Sequence, residues 1–344
     1  MNELQATAKQ LVADHKGLLA ADESVTSAGK RLGAIHIENT PETRRQYRNL
    51  FLTAPGIEQY LSGVIFHEET FGQAADDPSA TSRAASRAGG TPFVKLLQQK
   101  GIVPGIKVDA GTSPLPNYPG ELITEGLDGL GERLHAFYEQ GARFAKWRAV
   151  ISIGDGLPTD FCIAANCQAM ARYAALCQEN SIVPIVEPEV LIDGSHDLAT
   201  SEAVTTKALQ ETFAQLQIHG VDLTGLILKS SMVISGSECS TQATPEQIAE
   251  ATLRCFKRTV PVEVPGIVFL SGGQSSMQAT KNLNAIGKAT SGPWKITFSF
   301  ARALQSDALH VWKGNPANVA AAQAVFLKEL QADVAANRGE YAGE

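Results

Sequence analysis

Apolar residues in this chain gather into short, nearly continuous runs rather than alternating with polar ones. That is the pattern of strands buried on both faces. Such runs occur at residues 17–22, 62–69, 102–109, 142–148, 183–189, 226–229, 266–274 and 294–300. Between most of them the apolar positions take helical spacing, predicting helices over residues 3–15, 40–52, 92–100, 127–140, 159–179, 202–219 and 244–257, with two more at 301–311 and 318–336. Thr40-Pro41 and Thr244-Pro245-Glu246-Gln247 read as helix starts, with threonine capping and proline in the first turn. Residues 72–92, which include Arg83 and Arg87, read as a surface loop or insertion. Residues 111–120, with three prolines, read as a long loop.

Eight buried strands alternating with helices predict an α/β fold with an all-parallel sheet. Eight such units point to a closed TIM (β/α)8 barrel rather than an open sheet. No stretch reads as a linker, so residues 1–344 are expected to form a single domain. A barrel of this kind carries its chemistry at the C-terminal ends of its strands.

The runs stop on charged or glycine-rich residues. In order the strand ends carry Asp22, Glu68-Glu69, Lys107 with Asp109, Lys146 with Arg148, Glu187 with Glu189, Lys229, Ser271-Gly272-Gly273, and Arg302. A lone lysine such as Lys229 can snorkel out of a strand end into water. A lysine desolvated there instead loses proton affinity from about 10.4 and can attack a carbonyl to form a Schiff base. Around one barrel mouth, three lysines are expected to depress one another's pKa while the carboxylates offset the charge. Ser271-Gly272-Gly273 can present backbone N–H groups to an anion, or it can be a tight turn. Loops after the seventh and eighth strands are a frequent phosphate site of this fold, and Arg302 can bind phosphate bidentately. Ser24, Ser27, Lys30 and Arg31 offer either a second anion site or a solvated helix start.

Composition narrows the partners. A net charge of -7 with no long basic run speaks against nucleic acid. No apolar run approaches the roughly 20 residues of a membrane span. Cys162, Cys167, Cys177, Cys239 and Cys255 form no CxxC pair, and no signal peptide is apparent, so a reduced, cytoplasmic setting is expected. The seven histidines are scattered, only His67 lies near a strand end, and no metal or other cofactor is expected.

The motifs Leu19-Ala20-Ala21-Asp22-Glu23-Ser24, Gly105-Ile106-Lys107-Val108-Asp109, Phe144-Ala145-Lys146-Trp147-Arg148, Val183-Pro184-Ile185-Val186-Glu187-Pro188-Glu189, Leu228-Lys229, Phe269-Leu270-Ser271-Gly272-Gly273-Gln274-Ser275 and Arg302-Ala303-Leu304-Gln305 resemble class I fructose-bisphosphate aldolase. They extend from Leu18 to about Tyr341. The resemblance implies reversible cleavage of fructose 1,6-bisphosphate to dihydroxyacetone phosphate and glyceraldehyde 3-phosphate. It implies Lys229 as the Schiff-base lysine, Glu187 as the proton shuttle, and Asp22, helped by Lys146, as the base for the C4 hydroxyl. Lys107, Glu189 and Arg148 take supporting roles. Ser271, Gly272, Gly273 and Arg302 fall at the C1 phosphate, and Ser24 and Ser27, with Lys107, at the C6 phosphate. A homotetramer is implied as well. An aldolase for fructose 1-phosphate or another phosphorylated ketose is the alternative, and a binding protein on the same fold is a reading from another class. Departures from the animal pattern are Ser230-Ser231 after the lysine, Ala301 before Arg302, Val25-Thr26 in the first loop, and an end at Gly339-Glu340-Tyr341-Ala342-Gly343-Glu344 in place of a mobile tail finishing in tyrosine. That ending implies that C–C cleavage is retained while proton exchange at C3 is slow or handled otherwise.

Overall fold

The computed structural model describes residues 2–77 and 90–343. The strands are β1 (Gly17–Ala21), β2 (Leu61–Phe66), β3 (Val103–Lys107), β4 (Gly111–Pro114), β5 (Leu122–Glu125), β6 (Phe144–Ile151), β7 (Val183–Val190), β8 (Ile227–Ser230), β9 (Gly266–Phe269) and β10 (Lys295–Phe300). The helices are α1 (Glu3–Leu11), α2 (Val25–Ala34), α3 (Pro41–Leu52), α4 (Glu68–Phe71), α5 (Phe93–Gln99), α6 (Leu130–Glu139), α7 (Asp160–Glu179), α8 (Leu198–Ile218), α9 (Pro245–Thr259), α10 (Ser276–Ala289), α11 (Arg302–Trp312) and α12 (Val319–Asn337).

Eight strands close into a barrel in the order β1-β10-β9-β8-β7-β6-β3-β2, every neighbouring pair parallel. The expected TIM barrel is therefore present. Its interior is packed by residues such as Leu18, Ile65, Val103, Phe144, Val183, Ile185, Ile227 and Val268, and Leu11 and Val12 at the end of α1 join this cluster. The Phe144 ring occupies the space where a Cβ on Gly105 would stand, 2.3 Å from the nearest ring atom, so β3 needs glycine there. A larger apolar layer lies between the barrel and its helices.

Several elements differ from the sequence reading. The loop at 111–120 is half of a β-hairpin: β4 pairs antiparallel with β5. Helix α10, between the seventh and eighth barrel strands, is absent from the sequence reading. The run expected to continue to Glu69 breaks at His67, which caps α4, so Glu68 and Glu69 enter a helix rather than the mouth. The hydroxyl-rich segment after Asp22 folds as α2, with Ser24 as its N-cap. Arg83 and Arg87 lie outside the described residues.

Candidate active site

A cavity of about 660 Å³ opens at the C-terminal end of the barrel, lined by Asp22, Ser24, Ser27, Lys107, Lys146, Arg148, Glu187, Glu189, Lys229, Ser271, Gly272 and Arg302. Of the predicted site residues only Gly273 is not in its lining. Parallel pairing in register supplies the convergence. Lys107 lies beside Lys146 on β3 and β6, and Arg148 lies beside Glu187 on β6 and β7.

Glu187 is the hub. One carboxylate oxygen is 3.2 Å from Lys229 Nζ, and the other is 3.2 Å from Lys146 Nζ. Lys146 Nζ is also 2.6 Å from Asp22 Oδ2. Lys146, Glu187 and Lys229 are each only 3 % exposed, so their charges interact with little screening by water. Burial favours the neutral form of Lys146, but Asp22, Glu187 and Asp109 outweigh it and hold the ammonium above its ordinary range. Burial likewise opposes ionisation of Asp22, yet Lys146 and Lys229 keep its carboxyl well below the usual carboxylate range. Glu187 is lowered in the same way, against its burial, by Lys146, Lys229 and Arg148. The expected mutual depression among lysines is thus reversed at Lys146, because its nearest neighbours are two carboxylates.

Supporting pairs surround the hub. Lys107 Nζ is 2.6 Å from Asp109 Oδ1, and Arg148 Nε pairs with Glu189. Ser230-Ser231, without a role at the level of sequence, has a structural one. Ser231 Oγ donates to the Val190 carbonyl at 2.9 Å, and the Ser230 carbonyl accepts from Leu270 N at 3.1 Å. These bonds tie the exit of β8 to those of β7 and β9 on either side of Lys229.

Two helix N-termini face the cavity. Ser24 caps α2, its Oγ accepting from Ser27 N at 3.2 Å, so the first turn of α2 is both a helix start and part of the mouth. Arg302 opens α11, and Ala301 before it has no side-chain cap. Ala301 has φ -113°, outside the left-handed region that would call for glycine. Gly272 and Gly273 take φ +51° and +87°, conformations that favour glycine. Gly273 therefore shapes the turn behind the cavity. Helix N-termini with free N–H groups suit anions, and here they flank the lysine cluster.

Glu69 is drawn away from the mouth into a 2.5 Å pair with Arg44. His67 Nδ1 accepts from Glu69 N, and its pKa is lowered by burial and by Lys107. Among the described residues no group of three or more His, Cys, Asp or Glu side chains could hold a metal ion. Ser299 also lines the cavity, its buried Oγ without a hydrogen-bond partner. Its run ends Thr-Phe-Ser-Phe, in which no charge or glycine marks Ser299 as a site residue. Tyr341 lies elsewhere, its N–H bonded to Asn284 and its ring beside a separate cavity between α9 and α10.

The family model described as Glycolytic, Fructose-bisphosphate aldolase class-I, matches residues 3–344. The chain is 48% identical over 344 residues to a probable fructose-bisphosphate aldolase class 1 of Xanthomonas campestris pv. campestris, covering 100% of this chain and 99% of the relative. It is 49% identical to the cytosolic fructose-bisphosphate aldolase 6 of Arabidopsis thaliana, covering 100% of this chain and 92% of that one. A solved structure of fructose-bisphosphate aldolase from Plasmodium falciparum, in complex with TRAP and a small-molecule inhibitor, superposes with a TM-score of 0.94 at 45% identity, covering 99% of this chain and 96% of that one. On these grounds the chain belongs to the class I fructose-bisphosphate aldolase family.

Proposed function

We propose that this aldolase cleaves fructose 1,6-bisphosphate with Lys229 as nucleophile, Glu187 as proton shuttle and Asp22 as the base of the cleavage step. The observation that carries this reading is the unbroken contact chain Lys229, Glu187, Lys146, Asp22 at the strand ends, its first three members buried and Asp22 partly so. Lys229 must attack the C2 carbonyl as the free amine, and Glu187 at 3.2 Å is placed to take its proton. The same proton then goes to the departing carbinolamine hydroxyl, and water leaves as the iminium forms. Asp22, a carboxylate, takes the C4-hydroxyl proton. The C3–C4 bonding pair moves into the iminium, giving an enamine, and glyceraldehyde 3-phosphate departs. Protonation at C3 and hydrolysis return Lys229 and release dihydroxyacetone phosphate. Lys146 stays charged throughout and steadies both carboxylates.

Ser271, Gly272 and Arg302, with the turn at Gly273, take the C1 phosphate in this reading. Ser24, Ser27 and Lys107 take the C6 phosphate, with Arg148 and Glu189 orienting the chain between them. The two helix N-termini support these assignments. A homotetramer in the cytoplasm completes the proposal. Phe161, half exposed and stacked on Tyr118 at 4.8 Å, supports association, and five free thiols support a reducing compartment.

Borohydride reduction in the presence of fructose 1,6-bisphosphate is expected to leave a covalent adduct on Lys229. Lys229→Ala should fold but neither trap nor turn over. An adduct on another lysine, cleavage by the alanine variant, or activity abolished by EDTA would sink the mechanism. Light scattering checks the tetramer.

A further inference from the structure

Two motif residues have no part in this chemistry: Glu23, next to Asp22, and Gln305, three residues after Arg302. Both are buried behind the end of β1. Glu23 is 7 % exposed and Gln305 1 %, and Tyr47 and Arg48 of α3 are 0 % and 2 % exposed. A polar cluster this deep must satisfy most of its donors and acceptors internally, and here Arg48 Nη1 is left without a partner.

Its bonds bracket Asp22. Gln305 Nε2 donates to the Ala20 carbonyl at 3.1 Å. Arg48 Nε reaches the Ala21 carbonyl at 3.4 Å, and its Nη2 donates to the Glu23 carbonyl at 2.9 Å and to Glu23 Oε2 at 3.0 Å. The carbonyls before and after Asp22 are thus held by side chains from two helices. The same cluster anchors Arg31. Its Nη1 donates to Glu23, to Gln305 and, at 2.7 Å, to the Tyr47 hydroxyl, while Arg31 also lines the mouth. Tyr47 OH in turn donates to Gln305 Oε1 at 2.7 Å. Burial, with Glu23 beside it, holds the Tyr47 phenol protonated and able to donate.

We propose that Arg48 and Gln305 are positioning residues for the cleavage step: through the backbone on both sides of Asp22 they fix its carboxylate against Lys146, and through Glu23 and Tyr47 they fix Arg31 at the mouth. This rests on Asp22 being the cleavage base. Neither residue lines the cavity. A displacement of about 1 Å at a reacting group can cost on the order of a hundredfold in rate, so a slack β1 end should slow cleavage without impeding the Lys229–Glu187 pair.

The test separates two steps in one protein. Borohydride trapping with dihydroxyacetone phosphate reads Schiff-base formation, and turnover of fructose 1,6-bisphosphate reads cleavage. Gln305→Leu and Arg48→Met are expected to lower kcat at least about tenfold while trapping stays within about twofold of the parent. Arg48→Lys should recover part of the loss, and Tyr47→Phe should raise KM more than it lowers kcat. Trapping and cleavage falling in proportion, or cleavage unchanged in folded variants, would overturn the proposal. If Arg48→Met does not fold, Gln305→Leu and Tyr47→Phe decide it. Asp22→Asn is the control. If it fails to slow cleavage selectively, the reading of Asp22 as base fails; if it succeeds and Gln305→Leu does not, this inference alone fails.

Discussion

Glu187 holds Lys229 at 3.2 Å with one carboxylate oxygen while its other oxygen faces Lys146 at the same distance. A single residue can therefore receive a proton from Lys229 without leaving its cationic partner Lys146. Glu187→Gln keeps this shape and removes the base. Its kcat should fall by roughly 10²–10⁴, the usual worth of a general acid–base group. Single-turnover trapping should show that carbinolamine chemistry is the slowed step. Trapping at the parent rate would refute the shuttle.

Lys146 is the cation on which two carboxylates depend, buried Glu187 and partly buried Asp22. Lys146→Met leaves Asp22 and Glu187 facing each other without it. Both have folded pKa values below their ordinary ones, so their contribution to stability is present above about pH 4 and lost as pH falls through the folded values. The Tm gap between parent and Lys146→Met should be wide at neutral pH and narrow in acid. A gap independent of pH would show that the pairing does not stabilise the fold.

Asp333 titrates in the opposite sense. It is 1 % exposed on α12, with one oxygen accepting from Thr280 at 2.7 Å and the other without a partner. Burial, against the pull of Thr280, pushes its pKa from 3.8 to about 8. The folded state therefore holds an extra proton between these values, and stability declines as pH rises through that window. Asp333→Asn should match the parent in mild acid and exceed it in Tm by a few degrees near pH 8. Melting curves across that range test this, and equal pH slopes would contradict it.

Sequence reasoning recovered the barrel because eight strands buried on both faces are short apolar runs with few rivals. It also recovered most of the mouth, because charges at such strand ends are costly unless they meet. It lost β4 and β5, since Pro114, Pro116 and Pro119 read as loop and only the pairing of Gly111 with Glu125 reveals the hairpin. It lost α10, whose buried face is made largely of small and polar residues, Ala279, Thr280, Asn282 and Ala285, with Leu283 and Ile286. It placed Glu69 at the mouth because nothing local announces Arg44, 25 residues earlier, as its partner. The contacts of Arg48 and of the motif residue Gln305 are hidden for the same reason: each bonds to backbone far away in sequence.

With the C6 phosphate at Ser24 and Ser27, as proposed, these serines should separate substrates. Ser24→Ala with Ser27→Ala should raise KM for fructose 1,6-bisphosphate and leave fructose 1-phosphate kinetics unchanged, because only the former carries the C6 phosphate. Loss of the Ser24 cap should also cost about 1 kcal/mol of stability. Parallel cleavage assays on the two sugars are the check, and equal rises in KM would move the C6 phosphate elsewhere.

The ring is sealed by the pairing of Leu18 with Ser299 and Leu19 with Phe300, which brings the first strand of the chain against the last. Asp22 and Arg302 thus reach one mouth only once β10 has been made and paired. A nascent chain still lacking β10 can hold Lys229 and Glu187 yet has no complete mouth. Catalysis therefore requires the β1–β10 seam to be closed. In refolding, recovered turnover should lag the return of helical signal and coincide with closure of the β1–β10 seam, which makes the enzyme's own activity a reporter of that single step.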